Sequence, residues 1–155
     1  MISIGTRGGG PKDTLRNIIE TKEFVVNGVT PDFVGAVAQS SANYPSGQSE
    51  ARLLGVELAP SVRVSVPRVA GAAISLECSL ERLIPLNDSS RHNLVIGRVL
   101  CFRVNEKILK DGRVDVEKYL PAGRLGGPFY ATLSDVMRVD VREVSANKSS
   151  PEVDR

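Results

Sequence analysis

Aromatic side chains are scarce in this chain: three Tyr, four Phe and no Trp make up 5% of its 155 residues. Nucleic-acid binders show a basic face interleaved with stacking aromatics, whereas 20 Lys and Arg against 18 Asp and Glu leave a net charge of only +2. No nucleic-acid partner is expected. The two cysteines, Cys78 and Cys101, are too few for a disulfide framework and too far apart for a CxxC pair. With His92 as the single histidine they make too small a ligand set for structural zinc. No metal is expected, and the thiols read as buried groups in a reducing cytoplasm. No apolar run approaches the roughly 20 residues that span a bilayer. The opening "MISIGTRGGG" also lacks the basic-then-apolar layout of a signal peptide. A cytoplasmic protein without a membrane partner is expected.

What is present suffices for one domain, since 41% of the residues are hydrophobic and the chain is long enough to bury a core. "MISIGT" alternates Ile2 and Ile4 with polar or small residues, the period of a half-buried strand. Leu15, Ile18 and Ile19 then form a helical stripe, with Asp13 or Thr14 as its cap. "EFVVNG" reads as a short strand, Thr30-Pro31 as the start of a second helix, and Ser49 as the cap of a third that Gly55 closes. Between the last two helices "SSANYPSGQ" dissolves into turn residues.

Strand patterns dominate from there on. "SVRVSV" alternates up to Pro67, and "AISLECSL" puts Ile74, Leu76, Cys78 and Leu80 on one face with Ser75, Glu77 and Ser79 on the other. Glu77 is expected to be solvated or paired and without chemistry. "NLVIGRVLCFRV" is the longest candidate, read as a strand buried on both faces, with Gly97 at a bend or bulge. Arg98 and Arg103 within it have opposite parity and are expected on opposite faces. Asp111-Gly112 marks a turn, and "PAGRLGGPFY" is irregular and glycine-rich. Helices early and strands later favour an α+β domain built on an antiparallel barrel. Residues 1–142 form that domain and 143–155 a polar tail.

"RGGGPKDTLRNI" carries the chemistry. A helix N-terminus presents unpaired amides and the positive end of the dipole, and preceding glycines allow a backbone anion nest. Arg7 and Lys12 flank the run, and the Thr14 hydroxyl could donate to a phosphate oxygen. Neither common nucleotide motif fits, however. Pro11 stands where a P-loop beginning at Gly5 needs lysine, and Asp13 where a dinucleotide fingerprint beginning at Gly8 needs glycine. On chemistry alone the stretch reads equally as a phosphate cradle or as a loop before a capped helix.

Taken in order, "SIGTRGGGPKDTLRNI", "EFVVN", "PRVAGAAISLECSL", "LVIGRVLCFRVNEKIL" and "GRLGGPFY" resemble the flavin reductase family with the FMN-binding split-barrel fold. The Lys12-Asp13-Thr14 step followed by Asn17-Ile18 is the most specific piece. The resemblance implies an antiparallel split β-barrel with short flanking helices and an FMN-binding homodimer with flavin near the subunit interface. It implies a phosphate held by Ser3, Arg7, Lys12 and Thr14, on the helix that Asp13 and Asn17 begin. It also implies NADH or NADPH as hydride donor and a partner oxygenase or other acceptor. The family pattern begins before the position of Met1, so the ring-binding half of the site is expected to be incomplete. The alternative is a non-catalytic FMN-binding split-barrel module, and a related barrel for pyridoxal phosphate or haem is a further rival.

Two other places bear on a site. Arg124 could reach an anionic part of a nucleotide and Tyr130 could pack on a ring, or both belong to an arm that packs across a dimer. His92 reads as a surface histidine at a turn, the alternative being a place near the flavin or nicotinamide.

Overall fold

In the computed structural model, residues 1–7, 10–86, 92–133 and 135–139 are described, Arg7 by its backbone alone. The first half of the chain runs β1 (Ile2–Arg7), β2 (Gly10–Pro11), α1 (Asp13–Thr21) and β3 (Glu23–Asn27). A 3-10 turn (Pro31–Phe33) then leads into α2 (Val34–Ser40), α3 (Glu50–Leu53), β4 (Leu58–Ala59) and β5 (Arg68–Val69). The second half holds the two long strands, β6 (Ile74–Pro85) and β7 (His92–Val104). A second 3-10 turn (Glu106–Ile108) follows, then β8 (Leu109–Lys110), β9 (Arg113–Val114), β10 (Ala122–Gly126) and β11 (Phe129–Thr132).

Five strands make one antiparallel half-barrel sheet in the order β2-β1-β7-β6-β3. The short helices flank it, in the α+β arrangement expected. Phe24 pairs with Cys78 and Val26 with Leu76, so one sheet face is apolar. Onto that face α1 lays Leu15 and Ile18, which join Ile4, Phe24, Cys78 and Val95 in the core. Ile19, the third residue of the stripe, stays 39% exposed. Burial pushes the Cys78 thiol up from its ordinary value. Cys101 is only partly buried and, like Cys78, is a free thiol.

Gly97 is where the core comes closest to the backbone. A Cβ there would overlap the Phe24 ring, meeting its Cε1 at 2.8 Å and the Cys78 Cβ at 3.3 Å. The register also slips between Leu80 and Arg82, opposite Gly97 and Ile96, so the expected irregularity is present.

Four expectations are corrected. First, "SVRVSV" forms no strand; residues 62–66 are a series of bends. Their amides go to side chains of the sheet: Val62 N–H and Arg63 N–H donate to the Glu77 carboxylate, and Ser65 N–H donates to Glu23. Second, of the two readings of Glu77 the solvated one is excluded: the side chain is completely buried and its partners are these backbone amides. Third, β7 is central in the sheet but not buried on both faces, with Val99 38% and Phe102 67% exposed. Phe102 pairs with Leu76 on the apolar face, beyond the residues that α1 covers.

Fourth, Arg98 and Arg103 share a face. Arg98 lies opposite Ser79 and Arg103 opposite Ser75, two positions on the same side of β6. Leu100 is the extra residue: Val99 pairs with Cys78 and Cys101 with Glu77, so β7 gains one residue there and its parity shifts.

Candidate functional site

The glycine run opens as a hairpin. Thr6 pairs with Pro11 and Arg7 with Gly10, which leaves Lys12 alone to connect β2 to α1. Gly8 and Gly9 lie outside the described residues. Lys12 rather than Asp13 or Thr14 is the N-cap: its backbone is extended (φ −63°, ψ 155°) and its side chain makes no capping bond. A lysine cannot accept a hydrogen bond, so no N-cap side chain satisfies the first-turn amides of α1.

The first turn of α1 lines a polar cavity of about 380 Å³. Lys12, Asp13, Thr14 and Arg16 form one wall, and Ser40, Ser41, Tyr44, Ser46 and Glu50 the other. Asp13, in the first turn, is turned onto Arg16 in an ion pair one turn further along. The same guanidinium reaches across the cavity to donate to Ser46 Oγ at 2.9 Å. Asp13 and Arg16 thus neutralise each other, and Arg16 holds the second wall in place. Glu50 sits in the first turn of α3, where a carboxylate complements the helix dipole. Ser49 Oγ caps that helix by accepting from Arg52 N–H at 3.4 Å. Lys12 and the uncapped end of α1 remain to meet an anion. An adjoining cavity of about 430 Å³ adds Asn17 to Asp13, Thr14 and Ser46.

Of the sequence-predicted residues, Lys12, Asp13, Thr14 and Asn17 are brought together. Ser3 lies on β1, its Oγ 3.3 Å from His92 Nδ1, and lines neither cavity. His92 is the first residue of β7 and pairs with Gly5, so it belongs to a strand rather than a turn. Arg124 and Tyr130 face each other across the β10–β11 hairpin and also line neither cavity. The Arg124 guanidinium donates twice to the Gly127 carbonyl, at 3.1 and 2.9 Å, across a turn in which Gly126 and Gly127 both have positive φ.

Arg16 and the 40–50 wall were missed. Arg16 reads in sequence as one more exposed helix residue, and only the packing of the 40–50 segment against α1 gives it a second partner, Ser46, across the cavity. A third cavity, of about 280 Å³, lies between the end of β3, α2 and α3, meets the polar cavity at Ser40, and has no ionisable lining residue. It suits an apolar group and not an anion.

With this geometry in view, the likeness to known proteins is specific. An uncharacterized protein of Halalkalibacterium halodurans is 37% identical over 151 residues, covering 95% of this chain and 72% of that one. Nitrilotriacetate monooxygenase component B from Bacillus cereus superposes with a TM-score of 0.83 at 40% identity, covering 89% of this chain and 70% of that chain. The 2-nitrobenzoate 2-nitroreductase of Pseudomonas fluorescens superposes with a TM-score of 0.77 at 31% identity, covering 90% and 74%. This chain thus spans about 70% of the length of each of these three proteins. A description of the flavin reductase like domain matches residues 1–118, which include β1, the whole of α1 and both long strands. The half-barrel sheet, the Lys12-Asp13-Thr14 entry into α1 and these matches agree: the chain belongs to the flavin reductase like domain family.

Proposed function

We propose that this chain binds FMN through its phosphate at the start of α1 and works as a flavin reductase with NADH or NADPH as the reductant. One observation carries the reading. A helix with no N-cap side-chain bond opens on a polar cavity, in the segment that resembles the family's phosphate-binding step. The residues present fit a phosphate. The Lys12 ammonium offers a charge-assisted hydrogen bond, Thr14 a hydroxyl, and the first turn of α1 its amides and dipole. The Asp13 carboxylate, which would repel the anion, is engaged by Arg16.

Bound flavin would supply the redox chemistry, and the protein the binding and orientation. Arg16 keeps Ser46 and the 40–50 segment against the cavity, which limits how far that wall can open. Arg124 and Tyr130 lie outside this cavity, so their contact with a nucleotide would come from a second copy of the chain. The exposed apolar residues of their arm, Leu125, Phe129 and Leu133, support a homodimer. Nitrilotriacetate monooxygenase component B is by its name one component of an oxygenase, which makes an oxygenase a reasonable recipient of the reduced flavin here.

The test is direct. The purified chain mixed with FMN and NADH or NADPH should retain flavin through gel filtration and bleach its visible absorbance. Retention without bleaching would favour a binding module without turnover. No retention at high FMN would overturn the reading altogether.

A further inference from the structure

At the far end of β7 from His92, residues Arg103 to Lys107 and the segment around β5 enclose a cavity of about 450 Å³. Its size falls within the range of small-molecule sites. Three cationic side chains line it, Arg68, Arg103 and Lys107, with Glu106 as its one carboxylate. The Arg103 and Lys107 side chains have no ion pair or hydrogen bond among the described residues. Arg68 is tethered through Nη1 to the carbonyls of Val69 and Ala70, at 3.5 and 3.3 Å, and its Nε is buried out of reach of the cavity.

Three cationic side chains around one cavity, two of them without a partner among the described residues, form a pattern that an oxyanion completes. A phosphate oxygen accepts from the exposed Arg103 guanidinium, while the Lys107 ammonium and the Arg68 guanidinium share the remaining charge. The register separates this place from the α1 cavity. Arg103 lies opposite Ser75, on the sheet face that carries Glu77, whereas α1 packs on the face that carries Phe24 and Cys78.

We infer that the Arg68–Arg103–Lys107 cavity is a second anion site, which binds a phosphate group on the face of the sheet away from α1. The phosphate is either free or carried by a nucleotide. Calorimetric titration of the FMN-saturated full chain distinguishes the two, with inorganic phosphate in one arm and ADP in the other. Binding of phosphate with ADP no tighter supports a free oxyanion, and tighter binding of ADP supports a nucleotide. Binding of neither at millimolar concentration overturns the inference.

Variants then locate the site. Arg103→Ala and Lys107→Ala, both at exposed positions, should each weaken binding at least tenfold with an unchanged circular dichroism spectrum. Lys12→Ala should leave it within twofold. Arg113→Ala, which removes a charge elsewhere, should also leave it within twofold. Equal weakening by Arg113→Ala and Arg103→Ala would mean general electrostatic attraction and no site.

Discussion

Backbone amides converge in two regions of this molecule, on the bends after Ser61 and at the start of α1, and only the first carries its own anion. Val62 N–H reaches the two Glu77 carboxylate oxygens at 3.1 and 3.0 Å, and Arg63 N–H reaches one of them at 2.7 Å. Ser65 adds its N–H and hydroxyl to Glu23, at 2.7 and 2.6 Å. At α1 the capping residue is a lysine and the nearest carboxylate, Asp13, is turned onto Arg16. An amide cluster closed by an internal carboxylate is architecture, because the charge that satisfies it never leaves. A cluster that faces a cavity and a lysine is prepared for a charge that arrives from outside. Proximity of amides alone would not have separated the two; the position of the nearest acid does.

The contrast is broken most severely at Glu77. Glu77→Gln keeps one acceptor oxygen and turns an NH2 donor toward the Val62 and Arg63 amides. Urea unfolding should show a loss of about 2–3 kcal/mol, with FMN affinity of the folded protein unchanged. A neutral result would mean that the bends are held by Val64 burial instead.

Lys12→Ala is the converse. FMN binding should weaken by about 1.5–3 kcal/mol, while riboflavin, which has no phosphate, is bound as before and stability stays within about 0.5 kcal/mol. Equal weakening of both ligands would place the phosphate elsewhere.

Glu23 sharpens the comparison through pH. The Ser65 hydroxyl, and after it the Ser65 amide, hold its carboxyl below the ordinary glutamate value of 4.5. A carboxyl more acidic folded than unfolded adds stability above its unfolded value, and that stability is lost as pH falls through the folded value. The thermal midpoint of Glu23→Gln should therefore fall less steeply below about pH 4.5 than that of the parent chain. Parallel curves would show that the Ser65 contacts do not persist in solution.

The smallest expected effect is at the other end of α1. Lys22 closes the helix in the left-handed region at φ 61°, with its N–H on the Ile18 carbonyl at 2.9 Å. Lys22→Gly should raise stability by no more than about 1 kcal/mol, because glycine adopts this conformation freely but has more unfolded freedom to lose. A loss would imply that the lysine side chain packs usefully.

Much of the fold was legible before any coordinates. The apolar period of Leu15 and Ile18, the alternation in β6, the Asp111-Gly112 turn and the Ser49 cap are set by neighbours one to four residues apart. Lys12, Asp13, Thr14 and Asn17 were legible for the same reason: the N-cap and the first two turns of one helix carry them all. The wall-spanning role of Arg16 was not, since Ser46, its partner across the cavity, is 30 residues away.

The amino-acid sequence by itself determined the local elements, the family pattern and the lysine that begins α1. Only the tertiary structure decided which charges are spent internally. Glu77 alternates like a solvent-facing strand residue, yet a segment 14 and 15 residues earlier folds over it and supplies its hydrogen bonds. Arg103 counts to the wrong face until Leu100 bulges, and that bulge exists only because β6 and β7 pair in one register. Periodicity reports what a residue meets along its own element. Burial, parity across a bulge and the fate of a charge depend on what is brought against it from elsewhere in the chain.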